Sequence, residues 1–349
     1  MRKTSAVFMS LLILSTIGCA GGNAEAQSIR ERIAERRAQQ DGRGLRNRRD
    51  QRPPAQAEPG ELVHNGLTRT YFYQAAPGPG RSAQSGAAKP PLILALHGGT
   101  LDAGSWWQRG ALPQVARDAG AILVAPNAVG GNWNDGRTIF TSGSDPTKID
   151  DVGFLSALID EMVAKRGADP QRVYLIGPSN GGNMTWRMAC ERGDKIAAIA
   201  PVISTMLVGP ETYCAAARPM PVIAFFGTED QLMRYDGASV PTRDGRQSEP
   251  RLAAPATTDF WARVNGCGLE PSRADLPDVE PADATRVARY AYDCRKGAEV
   301  VRYDVIGGGH LMPGTPTPRI EALANLLGRG NQDISAEALA VAFFLKHSG

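Results

Sequence analysis

The amino-acid sequence predicts an α/β fold: a mostly parallel sheet covered by helices on both faces. Three observations carry this. Short unbroken apolar runs at 91–96, 121–126, 173–176, 197–203 and 221–226 read as strands buried on both sides. Between the second and third, Leu155, Leu158, Ile159, Met162 and Val163 follow the i, i+3, i+4, i+7, i+8 spacing of a helix with one apolar face, over Asp151–Arg166. The third run leads through a glycine-bounded turn into a second helical spacing, Met184, Arg187 and Met188. Strands that alternate with helices pair in parallel, because a parallel crossover needs a helix-length return. The sequence shows no internal repeat.

The first 60 of the 349 residues are expected to lie outside that fold. Arg2 and Lys3 precede an apolar stretch at 6–17, too short for a permanent membrane span, so residues 1–26 read as an export signal. Ala24-Glu25-Ala26 forms an A-x-A cleavage site. Ile17-Gly18-Cys19 resembles the end of a bacterial lipoprotein signal, with Cys19 as the lipidated residue. Both readings export the protein, and a lipid at Cys19 would be its only membrane contact. Residues 27–60 are rich in Arg, Gln and Pro: a short charged helix is expected at 28–40 and a disordered linker at 41–60. A solvated spacer explains this segment better than an electrostatic tether. Its nine arginines against four acids make 27–52 a local +5, which hides a globular part, 53–349, at −3. A mildly acidic globular part excludes a nucleic-acid binder.

The folded domain is expected over 61–349, with order beginning near Leu62. Residues 68–74 alternate as a strand should, and 75–90 form a Gly/Pro/Ser loop. Asp150 and Asp151 open the first long helix, where capping explains an acidic pair better than catalysis. A helix is expected at 257–264, a late strand at Val300–Ile306 and a closing helix at 335–346. Four cysteines remain outside the signal: Cys190, Cys214, Cys267 and Cys294. An even number in an exported chain suggests two disulfides. Sequence order suggests Cys190–Cys214 and Cys267–Cys294, although three connectivities are possible. A zinc site is the rival reading, and no C-x-x-C or histidine at ligand spacing supports it.

Gly177-Pro178-Ser179-Asn180-Gly181 is a G-x-S-x-G pentapeptide placed between strand and helix. In that context it reads as a nucleophile elbow. The serine hydroxyl must stand clear of the sheet on a strained turn, and only small residues fit two positions to either side. A serine hydroxyl is a poor nucleophile without a base. Of the four histidines, His64 precedes the first expected strand, His97 sits before Gly98-Gly99, and His347 is three residues from the end. His310 follows a strand and Gly307-Gly308-Gly309, which suits a base on a loop past a strand end. The group that orients the imidazole is expected at Asp230, just past the 221–226 strand, with Glu229 and Asp236 as rivals. The oxyanion donors are expected to be the backbone N–H of Asn180 and that of Gly99 or Thr100. No metal or organic cofactor is needed.

From about Glu61 onward the chain resembles polyhydroxybutyrate-depolymerase-like and feruloyl-esterase-like serine esterases. The likeness rests on seven ordered motifs: L-H-G-G at 96–99, W-N-D-G-R at 133–137, D-D-V-G-F at 150–154, G-P-S-N-G-G-N-M at 177–184, G-T-E-D at 227–230, N-G-C at 265–267 and G-G-G-H at 307–310. The resemblance implies an α/β-hydrolase fold, the triad Ser179, Asp230 and His310, an ester substrate from a polyester or a plant polymer, and a pairing of Cys267 with Cys294. It departs at Pro178, and at Leu311-Met312, where the family often has Thr-Trp. Trp133 and Trp107 are candidates to line an acyl or aryl pocket. The chain ends soon after its final helix, which leans towards smaller or soluble esters rather than a polymer. A feruloyl or acetylxylan esterase is the alternative substrate reading. A catalytically silent surface-binding protein of the same fold is the alternative of another class.

Overall fold

Six strands pair in parallel at the centre of one ten-stranded sheet. They are β3 (Leu92–Ala95), β4 (Ile122–Pro126), β5 (Val173–Pro178), β6 (Ala198–Val202), β7 (Val222–Gly227) and β10 (Val300–Ile306). The spatial order is β1-β2-β4-β3-β5-β6-β7-β10-β9-β8. Both edges are antiparallel: β1 (Glu58–His64) with β2 (Leu67–Gln74) at one, β9 (Arg286–Ala291) with β8 (Ser272–Asp275) at the other. This computed structural model describes residues 57–77, 88–139, 145–214, 218–242 and 245–349. The expected signal at 1–26, Cys19, the charged helix at 28–40 and most of the linker lie outside the described residues. No helix among those residues is long and apolar enough to cross a membrane.

The central strands are hydrophobic throughout because both of their faces are covered. Successive residues feed opposite layers. Leu92 and Leu94 join one core with Phe154, Leu158, Met184 and Trp261. Ile93 and Ala95 join the other with Leu112, Tyr174 and Phe344. The first layer is covered by α3 (Asp151–Arg166), α4 (Asn180–Arg192) and α6 (Ala254–Asn265); the second by α1 (Ser105–Arg109), α2 (Leu112–Asp118) and α8 (Ala336–Phe344). A short α5 (Pro210–Tyr213) and an exposed α7 (Glu321–Leu327) complete the helices of the described residues. Truncating a fully buried leucine such as Leu94 to alanine costs about 2–5 kcal/mol.

Among the described residues, the expected strands and the four expected helices are present, with ends shifted by a few residues. Asp150 caps α3 by accepting from the Gly153 N–H at 2.8 Å, and Gly167 ends the helix in the left-handed conformation at φ 71°. Asp151 is buried in an ion pair with Arg69 at 2.6 Å, and the guanidinium lies 3.9 Å above the Phe154 ring. Burial pushes the Asp151 carboxyl above its ordinary value despite Arg69. Removing either partner would strand a buried charge at a cost of about 3–5 kcal/mol.

The expected linker boundary at 60 is corrected: β1 starts at Glu58. Its turn is Asn65-Gly66, both at positive φ (49° and 76°), the chemistry of a two-residue hairpin. Both expected disulfides are formed, Cys190–Cys214 and Cys267–Cys294. The first ties α4 to the loop after α5; the second ties the end of α6 to the segment after β9.

Candidate active site

The site is built where β3, β5, β7 and β10 end at one rim of the sheet. Ser179 follows β5 and stands before α4 with φ 56° and ψ −121°, a conformation that non-glycine residues rarely adopt. Such strain costs on the order of 1–3 kcal/mol and persists only where the surroundings impose it. Here they do. A Cβ on Gly177 would fall 2.6 Å from the Gly181 carbonyl, and one on Gly181 would fall 2.3 Å from the Leu96 oxygen. Strand end, elbow and helix therefore touch backbone to backbone, and only glycine fits.

His310 Nε2 lies 2.9 Å from Ser179 Oγ, and His310 Nδ1 lies 2.7 Å from Asp230 Oδ2. A carboxylate can only accept, so Nδ1 carries the hydrogen and Nε2 is free to accept from the serine hydroxyl. Asp230 Oδ1 accepts from the Leu232 and Met233 N–H groups, both at 2.8 Å, which fixes the carboxylate. Of its rivals, Glu229 faces Arg329 at 3.4 Å and Asp236 pairs with Arg234, both away from the imidazole. The loops carrying Asp230 and His310 lean on each other: the Glu229 N–H donates to the Gly308 oxygen at 2.9 Å. The His310 N–H donates to the Leu327 oxygen, which hangs this residue on the end of α7.

The expected oxyanion donors separate. Asn180 opens α4, so its N–H has no acceptor within the helix. Gly99 is adjacent: a Cβ there would lie 3.6 Å from Asn180 Cβ. Thr100 is corrected. Its N–H donates to the Gly131 oxygen at 2.8 Å, so it is already spent within the protein.

Trp133 is also corrected as a substrate contact. It is fully buried, its ring lies 5.1 Å from that of His97, and its Nε1–H donates to the His97 oxygen at 2.9 Å. Trp107 packs edge-on against Phe72 in the second core layer. His97 is buried too, and burial lowers its pKa to about 4. As a neutral ring it donates from Nδ1 to the Gly98 oxygen (2.8 Å) and accepts at Nε2 from the Ala128 N–H (3.0 Å).

Sequence reasoning did not assign roles to the polar residues around these loops. Asp135 is buried and pairs with Arg137 at 2.7 Å. It also accepts from the side-chain amides of Asn180 (2.6 Å) and Asn183 (2.8 Å). Burial opposes its charge, but Arg137, Asn183 and Arg251 together hold the carboxyl below its ordinary value. Asn183 Oδ1 in turn accepts from Ser204 Oγ (2.6 Å) and Arg251 Nη1 (3.1 Å). The motif W-N-D-G-R marked the stretch; its spacing gave no hint of what it holds.

A mostly parallel sheet with serine, imidazole and carboxylate meeting at its rim defines the class: hydrolases of the α/β-hydrolase fold. Comparison with known proteins narrows it. No family model matches the chain. NocK of Nocardia uniformis subsp. tsuyamanensis, an esterase-class protein, is 30% identical over 290 residues, covering 82% of this chain and 81% of that one. Feruloyl esterase B of Neurospora crassa is 38% identical over 255 residues, covering 65% of this chain and 80% of that one. The poly(3-hydroxybutyrate) depolymerase of Ralstonia pickettii is 31% identical over 152 residues, and the match spans only 29% of that enzyme. The chain belongs to this family of carboxylic ester hydrolases.

Proposed function

We propose that the protein is an exported serine esterase working through an acyl-enzyme. Ser179 is the nucleophile, His310 the general base and then acid, and Asp230 the carboxylate that orients the imidazole and stabilises its charged form. The N–H groups of Asn180 and Gly99 hold the oxyanion. His310 takes the hydroxyl proton as Ser179 Oγ bonds to the ester carbon. The same proton then goes to the leaving alcohol as the carbon–oxygen bond breaks. Water, deprotonated by His310, attacks the acyl-serine and releases the acid. The observation that carries this reading is the unbroken line Ser179 Oγ, His310 Nε2, His310 Nδ1, Asp230 Oδ2, with steps of 2.9 and 2.7 Å.

The substrate is a carboxylic ester of the polyhydroxybutyrate or feruloyl type. The likeness to Feruloyl esterase B, spanning four-fifths of that enzyme, favours an aryl ester; the shorter likeness to the depolymerase favours hydroxybutyrate oligomers. Ser179→Ala should abolish turnover of p-nitrophenyl butyrate, methyl ferulate and hydroxybutyrate oligomers alike while the melting curve stays in place. Unchanged turnover in that variant would remove the proposal. Wild-type rates across the same panel, extended to acetylated xylan, decide the substrate class. Failure of a fluorophosphonate to label the wild-type protein would favour the silent binding protein instead.

Export rests on the signal-like residues 1–26 and on the two disulfides. In this reading the segment from 27 to the start of β1 is a spacer. Intact mass of protein recovered from the native host separates cleavage after Ala26 from lipidation at Cys19. A mass that retains residues 1–26 contradicts export through this signal.

A further inference from the structure

Three clusters among the described residues stand apart from the line of Ser179, His310 and Asp230. One is the group of Arg302 and Asp304 on β10 with Tyr235 and Thr258. Another is the exposed apolar face of Ile320, Leu323 and Leu326 beside α7. The third, the loop 128–137, is joined to both expected walls of the oxyanion site, and it reaches furthest.

On one wall, the Thr100 N–H donates to the Gly131 oxygen and Trp133 Nε1–H donates to the His97 oxygen. The His97 ring closes the same connection by accepting from the Ala128 N–H. On the other wall, Asn180 Oδ1 accepts from the Trp133 N–H at 2.7 Å, and Asn180 Nδ2 donates to the Trp133 oxygen at 3.1 Å. The same Nδ2 donates to Asp135 at 2.6 Å. One loop therefore grips the segment bearing Gly99 and the residue bearing the Asn180 N–H.

Asp135 is the charged centre of that grip. Its buried carboxylate collects the buried amides of Asn180 and Asn183 and the half-buried Arg137 fork. Hydrogen bonds to a buried ionised group are the strong ones. Asp135 reaches this wall through the Asn180 side chain.

We infer that Asp135 is a positioning residue for the esterase reaction: through Asn180 it holds the backbone oxyanion donors at the spacing the tetrahedral intermediate requires. This rests on the Ser179 reading above. Deleting an oxyanion donor costs about 100- to 1000-fold in kcat, and a displaced donor should cost less. Asp135→Asn removes the charge, and Asn180→Ala removes the link while keeping the backbone N–H. Each should lower kcat about 10- to 100-fold with KM within about twofold.

The test measures kcat and KM for p-nitrophenyl butyrate, the inhibition constant of a trifluoromethyl ketone, and the melting temperature. The ketone forms a hemiketal with the serine and places an oxyanion in the same site. Its inhibition constant should rise by the same factor as kcat/KM falls. The double variant should be no slower than the slower single one, because both act through one link. Unchanged kcat in folded variants, a change confined to KM, or additive losses would overturn the inference. If Asp135→Asn fails to fold, Asn180→Ala decides alone by the same readouts. An inactive Ser179→Ala beside a normal Asn180→Ala sinks only this inference; an active Ser179→Ala sinks the reading beneath it.

Discussion

Ser179, the proposed nucleophile, and His310, the proposed base, are brought to the same point by different means. On the nucleophile side, side chains add to the glycine backbone contact at the elbow: Asn180, Asn183, Asp135, Arg137 and Trp133 knit α4 to the 128–137 loop. On the base side, backbone does it. His310 hangs from the Leu327 oxygen, and Gly227 and Gly309 pack main chain against main chain with no room for a Cβ. Two strategies of preorganisation thus serve one site, and they fail differently when disturbed. A side-chain grip can be loosened one hydrogen bond at a time. A backbone contact moves the whole loop or nothing.

The largest effect is expected where the two sides meet. Asp230→Asn leaves the shape but exchanges an acceptor-only carboxylate for an amide, which favours the wrong imidazole tautomer. The expected loss in kcat is about 10⁴-fold with the fold unchanged. A loss under tenfold, measured on p-nitrophenyl butyrate, would mean that the carboxylate is not the orienting group.

Each side also carries one disulfide, and these separate stability from chemistry. Each bond closes a loop of comparable length, with sequence separations of 24 and 27 residues. Replacing either pair by alanine should lower stability by about 3.5 kcal/mol on the chain-entropy account, read from denaturant midpoints. Activity per folded molecule should stay within about twofold, because no cysteine joins the hydrogen bonds around Ser179 or His310. A marked loss of activity in either pair would show that the staple positions the site.

His97 sharpens the nucleophile side through pH. Its ring is buried neutral with its pKa near 4, whereas in the unfolded chain it titrates near 6.5. Between those values the unfolded state binds a proton that the folded state refuses. The stability from neutral His97 is therefore complete above about pH 6.5 and is lost as pH falls towards 4, a swing on the order of 3 kcal/mol. The melting-temperature gap between wild type and His97→Gln should narrow over that window. A gap that holds constant would contradict the buried neutral ring.

The smallest effect probes the base side. A Cβ at residue 309 would fall 2.1 Å from the Leu327 oxygen, with no flexible side chain to yield. Gly309→Ala should move the His310 loop, lowering kcat about 10-fold or more through misalignment. The wild-type rate in this variant would show that the loop tolerates the displacement.

How much of this was legible beforehand follows the same division. Glycines leave a trace in the sequence when they are required by close approach, so Gly177, Gly181 and the run at 307–309 pointed to Ser179 and His310. Buried strands were legible from unbroken apolar runs, and α3 from its spacing and caps. The short helices α1, α2 and α7 were missed because five to seven residues span too few turns to show a period. β8 and β9 were missed because β8 is exposed throughout and β9 reads R-V-A-R-Y-A with no clean alternation. β1 was missed although Asn65-Gly66 announced its hairpin. The grip around Asn180 was illegible because it joins residues about 45 positions apart, whose types alone do not say which of them meet. Trp133 was expected to line an acyl or aryl pocket, yet it fills the core beside His97.

Treating the full-length protein with a fluorophosphonate and locating the adduct by peptide mass spectrometry tests the central claim most directly. The account predicts one stoichiometric adduct on Ser179, formed in step with loss of esterase activity and absent from Ser179→Ala. Activity lost with the adduct on another residue, or activity retained with Ser179 fully modified, would contradict it.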